Sequence, residues 1–324
     1  MSSKFLDLQK VPLEVKTKAS NLQDDVTLLM PPIGLGCFAS HDEEKKKVAK
    51  GWILSALKSG YRHLDTAWMY DTERLVGEAI RESGIDRREI FVTTKLPWHH
   101  PGYVLQSIDE SLKAAQLDYF DLYLIHFPQA VRYPEGYGRP KNPDDPNAIE
   151  AIKSPTIQET WADMEKVLAS GKARAIGVSN FSEKTLSELL QTAKVRPAVN
   201  QIELHPFLAQ TKLLQFCKQN GIKVTAYTPT AYEKGRTNPV IVEIAKQYSV
   251  SPSQAVLAWH VKRGCAATPK STNEARQREN LMLPDLSDED MKRIDALDSN
   301  LRLCNFPNER GMIYGWTMEQ LGWD

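Results

Sequence analysis

Cysteine is scarce in this sequence. The four residues Cys37, Cys217, Cys265 and Cys304 lie far apart and form no CxxC pair. That spacing excludes a disulfide scaffold and a cysteine-rich zinc site, and it fits a reducing, cytoplasmic compartment. Net charge is missing too: 41 Lys plus Arg balance 41 Asp plus Glu. A nucleic-acid binder needs a basic excess or a basic face, so that class is set aside. No apolar run approaches the ~20 residues of a membrane-spanning helix. The opening stretch MSSKFLDLQKVPLEVKTK lacks the apolar core of a secretory signal, and the closing EQLGWD is neither a prenylation box nor a peroxisomal tripeptide. Neither a membrane nor a nucleic acid is therefore expected as a partner. There is no solenoid repeat and no low-complexity tract.

What is present is a beat. The 324 residues suit two average domains or one α/β barrel. Pro12 to Lys18 alternates, Asn21 to Asp25 is turn-rich and Val26 to Met30 is apolar, which reads as a capping hairpin. Eight short apolar segments follow: IGLGCF (33–38), HLDTA (63–67), IFVTTKL (90–96), YFDLYLIH (119–126), ARAIGVSN (173–180), AVNQIEL (198–204), KVTAYTP (223–229) and CAATPK (265–270). Near-continuous apolar runs are what a parallel sheet covered by helices requires. Helical patterns fill the gaps, at Asp42 to Ser59, Glu73 to Glu82, Tyr103 to Gln116, Thr156 to Ser170, Ser182 to Ala193 and Gln210 to Asn220. Eight βα units predict a (β/α)8 barrel, the α/β fold of TIM-barrel type, because eight is the number that closes it. An open doubly wound sheet shares the beat and stands as the alternative. Two segments break the rhythm. Residues 127–155 form a long Pro/Gly/Asp-rich loop, a length usually kept for lids and binding loops. The tail after Leu297 is aromatic and either wraps over a site or packs on the barrel wall.

A barrel carries its chemistry at the C-terminal strand ends. There the sequence places Asp65 with Tyr70 after the second strand, Lys95 after the third and His126 after the fourth. Each alone has a plain structural explanation: a helix cap, a surface lysine, a core histidine. Together they make an acid catalyst. A tyrosine hydroxyl with a reference pKa near ~10 is a reluctant donor at neutral pH, and a nearby ammonium would lower that value. Lys95 would act so on Tyr70, Asp65 would keep Lys95 charged, and His126 would orient a carbonyl oxygen. Ser179 and Asn180, Gln201, and Tyr227 with Thr228 end the next three strands; amides and hydroxyls there suit a carboxamide, and an aromatic ring suits stacking on a nicotinamide. After the eighth strand, KSTNEARQREN (270–280) sets Lys270 and Arg276 across a strand-to-helix turn beside Ser271 and Thr272, a phosphate-binding composition.

These motifs resemble the aldo-keto reductase family. The resemblance rests on GLG (34–36), DTAxxY (65–70), TTKL (93–96), LIHFP (124–128), GVSNF (177–181), NQIELHP (200–206), AYTP (226–229) and PKSxxxxRxxEN (269–280), and it spans about residues 30 to 300. It implies one (β/α)8 domain over residues 1–324, with the hairpin at one end and the tail over the active-site face. It also implies NADPH, with NADH weaker, as cofactor, and Asp65, Tyr70, Lys95 and His126 as catalytic tetrad with Tyr70 the acid. A nicotinamide grip at Ser179, Asn180, Gln201 and Tyr227 follows from it, as do adenine and 2′-phosphate contacts at Lys270, Ser271, Thr272, Arg276, Glu279 and Asn280. HFP and LRLCN are similar to fungal xylose and aldose reductases, which would put Asn305 near substrate, with Phe38, Trp98 and Phe127 also expected there.

The chain departs from the family pattern in three places. GLGCF carries Phe38 where Trp is common, Asp71-Thr72-Glu73 stands for the usual GNE, and the segment TAYEKGRTNP (230–239) is short, which suggests weak closure over a cofactor. Several motifs are decoys. GLGCFA (34–39) matches a dinucleotide fingerprint but has Leu54 where an acidic residue belongs. YGRPK (137–141) cannot form the helix its Tyr and Lys would need to share a face. The sequon at Asn180 has no signal peptide to expose it to glycosylation, and His99-His100 lack partners for a metal, so none is expected. Two functions remain: an NADPH-dependent carbonyl reductase of aldoses, uronates or small hydroxy-aldehydes, and a non-catalytic NADPH sensor on the same barrel. The retained Tyr70 favours the first. Arg132, Arg139 and Lys141 of the long loop would suit a uronate carboxylate, or are ordinary loop charges. Monomer and homodimer are equally compatible with the sequence.

Overall fold

The chain enters through an antiparallel hairpin of β1 (Leu13–Lys18) and β2 (Asp25–Met30), with Leu13 opposite Met30. The computed structural model describes residues 5–40, 42–142, 145 and 147–323. One face of the hairpin is apolar: Leu13, Val15, Leu28 and Met30 are buried against Phe91, Leu122, Leu124 and Ala266 of the barrel strands. The hairpin thus plugs the N-terminal end of the barrel, as its alternating pattern predicts.

The barrel strands are β3 (Leu35–Gly36), β4 (His63–Asp65), β5 (Phe91–Leu96) and β6 (Leu122–Ile125). An excursion then carries a small hairpin, β7 (Val131–Arg132) with β8 (Glu150–Ala151). The barrel resumes with β9 (Ile176–Ser179), β10 (Val199–Glu203), β11 (Lys223–Tyr227) and β12 (Ala266–Ala267). All eight pair in parallel in the order β12-β11-β10-β9-β6-β5-β4-β3. The outer two also meet. Ile33 bridges Ala267 in parallel, Gly34 N donates to Ala267 O at 2.9 Å, and Ala267 N donates to Pro32 O at 2.8 Å. This closure distinguishes the barrel from the open doubly wound sheet. β3 and β12 are shorter than the apolar runs 33–38 and 265–270: Ile33 and Gly34 are spent on the closing bridge, and Phe38 and Thr268 to Lys270 pass into the cavity wall.

Helices lie where the sequence pattern places them, to within three residues at each end. Ile157–Ala169, Glu183–Leu190 and Pro252–Lys262 each begin with a capping box, from Thr156, Ser182 and Ser251. The expected single helix over Asp42 to Ser59 is instead two, Glu43–Lys47 and Ala49–Lys58. The chain turns at Val48, whose N–H bonds Lys46 O, and the second piece then buries Trp52, Ile53, Ala56 and Leu57. The helix Glu73–Ser83 runs so close to Val104–Ala115 that a Cβ on Gly77 would stand 1.7 Å from Ala115 O. Glycine is required there for the approach itself.

The tail does both things the sequence allows. Leu301 and Leu303 pack on Phe207, Ile241 and Val256 of the wall. A last hairpin, β13 (Met312–Ile313) with β14 (Trp316–Thr317), then crosses the mouth. It is tied to the long excursion by Gln129, whose Nε2 donates to Ile313 O at 3.1 Å. Among the described residues no helix is long and apolar enough to cross a membrane.

Candidate active site

Asp65, Lys95 and His126 sit at or just beyond the C-terminal ends of three adjacent strands, and Tyr70 on a single turn of 3-10 helix, Trp68–Tyr70, after β4. The structure brings the four together. Lys95 Nζ donates to Asp65 Oδ1 at 2.7 Å and to Thr66 O at 2.8 Å. The same ammonium stands 4.9 Å from the centroid of the Tyr70 ring. The ring of His126 meets that of Tyr70 edge to face, centroids 5.8 Å apart. Asp65 is also held from the far side of the barrel, because Gln201 Nε2 donates to its Oδ2 at 2.7 Å.

Burial dominates the electrostatics. Lys95 is fully buried, with 0% of its side chain exposed. Desolvation alone would discharge it, but the charges of Asp65 and of an ionised Tyr70 outweigh that and raise its pKa. His126 is pushed well below the ordinary histidine range, first by burial and then by the charge of Lys95, so its ring is neutral. Its Nδ1 is buried without a hydrogen-bond partner among the described residues. Tyr70 departs from the expectation. Lys95 does pull its pKa down, but burial pushes harder, and the net shift is upward. The ammonium offsets the burial penalty and does not overcome it.

The next strands supply an amide network. Asn180, in the left-handed region at φ 66, donates Nδ2 to His126 O at 2.9 Å and accepts the Tyr227 hydroxyl on Oδ1 at 2.6 Å. Ser179 Oγ donates to Gln201 O at 2.9 Å. Asn305, from the tail, donates to the Tyr227 hydroxyl at 2.8 Å. The Tyr227 ring is thereby fixed from two sides as part of a cavity wall.

That cavity has a volume of about 760 Å³ and runs across the barrel mouth. Tyr70, His126, Trp98, Phe127 and Met69 line it together with Thr228, Thr230, Arg236, Pro269 and Lys270, and the Phe38 ring centroid lies 6.0 Å from Lys270 Nζ. Gly36 is also in the wall, where a Cβ would come 2.9 Å from Thr268 O. Lys270 is exposed and its pKa is lowered by partial burial and by the charge of Lys45. It is a cation placed near another cation, which an anion would relieve. Ser271 is buried, and its hydroxyl donates to Asn273 O at 3.2 Å. Thr272, Arg276 and Glu279 are exposed beyond the cavity wall, Asn280 is buried, and the guanidinium of Arg276 has no side-chain partner among the described residues. The set fits a dinucleotide: a flat aromatic wall, an amide oxygen on Gln201 with no partner among the described residues, and the two cations Lys270 and Arg276, neither paired with an acid among those residues.

Sequence reasoning missed part of the wall. Tyr314 stacks on Trp98 with centroids 4.2 Å apart, and Met69, Tyr232, Arg236 and Cys304 also line the cavity. Tyr314 belongs to an aromatic tail whose register no periodicity fixes, whereas Met69 lay in plain sight inside DTAWMY. The loop cations do not reach the cavity. Arg132 pairs with Glu150 at 3.5 Å, Arg139 turns to the backbone of the Trp68–Tyr70 turn, and Lys141 is not in the lining. His100 is committed to Ser107 at 3.0 Å and to Tyr137 O at 2.8 Å, and no cluster of metal-binding side chains occurs among the described residues. The short segment after β11 forms a one-turn helix, Tyr232–Thr237, with Arg236 at the cavity.

Comparison with known proteins agrees with this geometry. The profile of the Aldo/keto reductase family matches residues 32–299. The glycerol 2-dehydrogenase (NADP(+)) of Saccharomyces cerevisiae is 42% identical over 280 residues, covering 83% of this chain and 87% of its own. The 9,11-endoperoxide prostaglandin H2 reductase of Trypanosoma cruzi is 40% identical over 286 residues, covering 86% and 92%. The aldose reductase structure from Schistosoma japonicum superposes with a TM-score of 0.80 at 31% identity, covering 90% of this chain and 97% of that one.

Proposed function

Because the chain belongs to the aldo/keto reductase family, an oxidoreductase family, we propose that it reduces the carbonyl of a small hydroxy-aldehyde or hydroxy-ketone to the alcohol, with NADPH as reductant. The observation that carries the reading is the fully buried ammonium of Lys95, held at 2.7 Å by Asp65 and 4.9 Å from the Tyr70 ring at the cavity. A bound reduced nicotinamide supplies a hydride to the carbonyl carbon. Tyr70 gives its hydroxyl proton to the carbonyl oxygen, so the substrate gains one hydride and one proton and leaves as the alcohol. Lys95 stabilises the phenolate left behind, and solvent returns the proton. His126, neutral, orients the carbonyl oxygen by a hydrogen bond. Asn180 and Gln201 would grip the carboxamide and Tyr227 would support the ring face. Lys270 and Arg276 would take the 2′-phosphate.

The intact tetrad favours catalysis over a non-catalytic sensor. The substrate end of the cavity is walled by Trp98, Phe127, Phe38 and Tyr314, and the loop cations Arg132, Arg139 and Lys141 are not in the lining, which favours a neutral substrate over a uronate. The relative named for glycerol is consistent with a small polyol product. The test is Tyr70→Phe. Removing a general acid costs ~10²–10⁴-fold in turnover. NADPH consumption with glyceraldehyde should fall by that factor while NADPH still quenches tryptophan fluorescence. A variant that keeps wild-type kcat would remove Tyr70 from the reaction.

A further inference from the structure

The long excursion between β6 and β9 sends one cation back to the turn that carries Tyr70. Arg139 Nη1 donates to Met69 O at 3.0 Å, and Nη2 donates to Trp68 O at 2.9 Å. Nη2 also lies 3.3 Å from Asp71 Oδ1, and the guanidinium carbon stands 4.4 Å from the centroid of the Trp68 ring. Arg139 therefore holds the two residues before Tyr70 and the one after it. Asp71 is held a second time, by Lys46 Nζ on Oδ2 at 2.8 Å. Its backbone sits at φ 58, in the left-handed region that glycine enters freely and other residues at a cost. The turn's own backbone bond there, Asp71 N to Trp68 O, is long at 3.3 Å.

This explains a departure of the sequence. The family's usual glycine after the tyrosine is Asp71 here, and its carboxylate is engaged by two cations from different parts of the chain. We propose that Arg139 and Asp71 form a clamp that positions Tyr70 for proton transfer, an inference that rests on Tyr70 being the acid. Two carbonyls less than one helical turn apart are met by the two terminal nitrogens of one planar fork, and a lysine has no equivalent geometry. Rocking of the Trp68–Tyr70 turn would move the phenol relative to Lys95 and His126, and the clamp opposes that motion. Arg139 is a positioning residue and touches neither substrate nor cofactor.

The experiment compares wild type, Arg139→Met, Arg139→Lys and Tyr70→Phe, each assayed well below its melting temperature. Steady-state NADPH turnover of glyceraldehyde in H2O and D2O is measured, with the NADPH Kd by fluorescence titration. A misplaced acid costs catalysis up to ~10²-fold, so Arg139→Met should lose about tenfold in kcat. Its NADPH Kd should stay at the wild-type value, and its solvent isotope effect on kcat should rise as proton transfer becomes limiting. Arg139→Lys, which keeps the charge toward Asp71 and loses the fork, should show the same rise and serves alone if the methionine variant does not fold. The clamp is overturned if kcat is unchanged, or if kcat falls while the isotope effect stays at the wild-type value. Should Tyr70→Phe itself retain turnover, the acid assignment fails, which is a separate outcome.

Discussion

Replacing Asp65 by asparagine takes one negative charge from a site where both carboxylate oxygens are engaged at 2.7 Å, by Lys95 and by Gln201. Both partners are donors. Asparagine can offer one oxygen, and the ammonium will claim it. Its NH2 then faces the Gln201 amide, which must rotate to present oxygen in place of nitrogen. That rotation consumes the Gln201 oxygen, which has no partner among the described residues, and should raise the KM for NADPH. Lys95, fully buried, loses its only counter-charge among the groups that bond it. Stranding one member of a buried ion pair costs ~3–5 kcal/mol. At ~1.5 °C per kcal/mol for a chain of this size, the melting temperature should drop by ~4–8 °C. With Asp65 gone, burial favours discharge of Lys95, and loss of one preorganised charge beside the reacting group costs ~10²–10³-fold in kcat. Part of that loss should be recovered as pH is lowered, because acid restores the ammonium. The assays are a thermal melt and NADPH turnover from pH 9 to pH 6, each as a ratio to wild type. A variant melting within about 2 °C of wild type with kcat within about threefold would refute this account of the pair.

Three further outcomes are expected. Burial holds His99, His100 and His260 at about 3, about 4 and about 3, below their value in the unfolded chain. The stability they contribute is present above about pH 6.5 and lost below it at ~1.4 kcal/mol per histidine per pH unit; a melting temperature flat between pH 6.5 and 4 would refute this. Arg276→Ala should cut the NADPH-over-NADH preference by ~5–30-fold, the worth of one charge-assisted contact, and an unchanged kcat/KM ratio for the two cofactors would take Arg276 out of the phosphate site. Gly77→Ala, with its Cβ 1.7 Å from Ala115 O, should cost at least ~1–3 kcal/mol in urea unfolding; a stability within ~0.5 kcal/mol of wild type would show that the two helices can part freely.

The barrel was legible because its information is local. Apolar runs and the helical patterns between them, such as Thr156 to Ser170 and Ser182 to Ala193, each act within a few residues. The grouping of Asp65, Tyr70, Lys95 and His126 was legible for a related reason, since each ends or follows a strand and the fold stacks strand ends together. What depends on contacts between distant segments was not legible. Arg139 read as a loop charge or a substrate cation, and only the folded chain brings it to the carbonyls of Trp68 and Met69. Tyr314 reaches Trp98 across more than two hundred residues. The upward pKa of Tyr70 is a balance between burial and Lys95, and the depth of burial is not written in any motif.

The seam between β3 and β12 has a consequence for how the protein breathes. It is the thinnest joint in the sheet: β3 and β12 share no ladder, only the bridge at Ile33 and Ala267 with its two backbone hydrogen bonds and one from Gly36 N to Pro269 O at 3.1 Å. Gly36 on one lip, and Thr268, Pro269 and Lys270 on the other, share the wall of the same cavity. A ligand filling that end therefore spans the joint like a staple. Opening the seam would cost the binding energy as well as the bridge. Amide hydrogen exchange at Gly34 and Ala267, whose N–H groups close the ring, should slow on ligand binding more than exchange in the middle of β5 or β6, and the barrel's weakest stave would become the reporter of its occupancy.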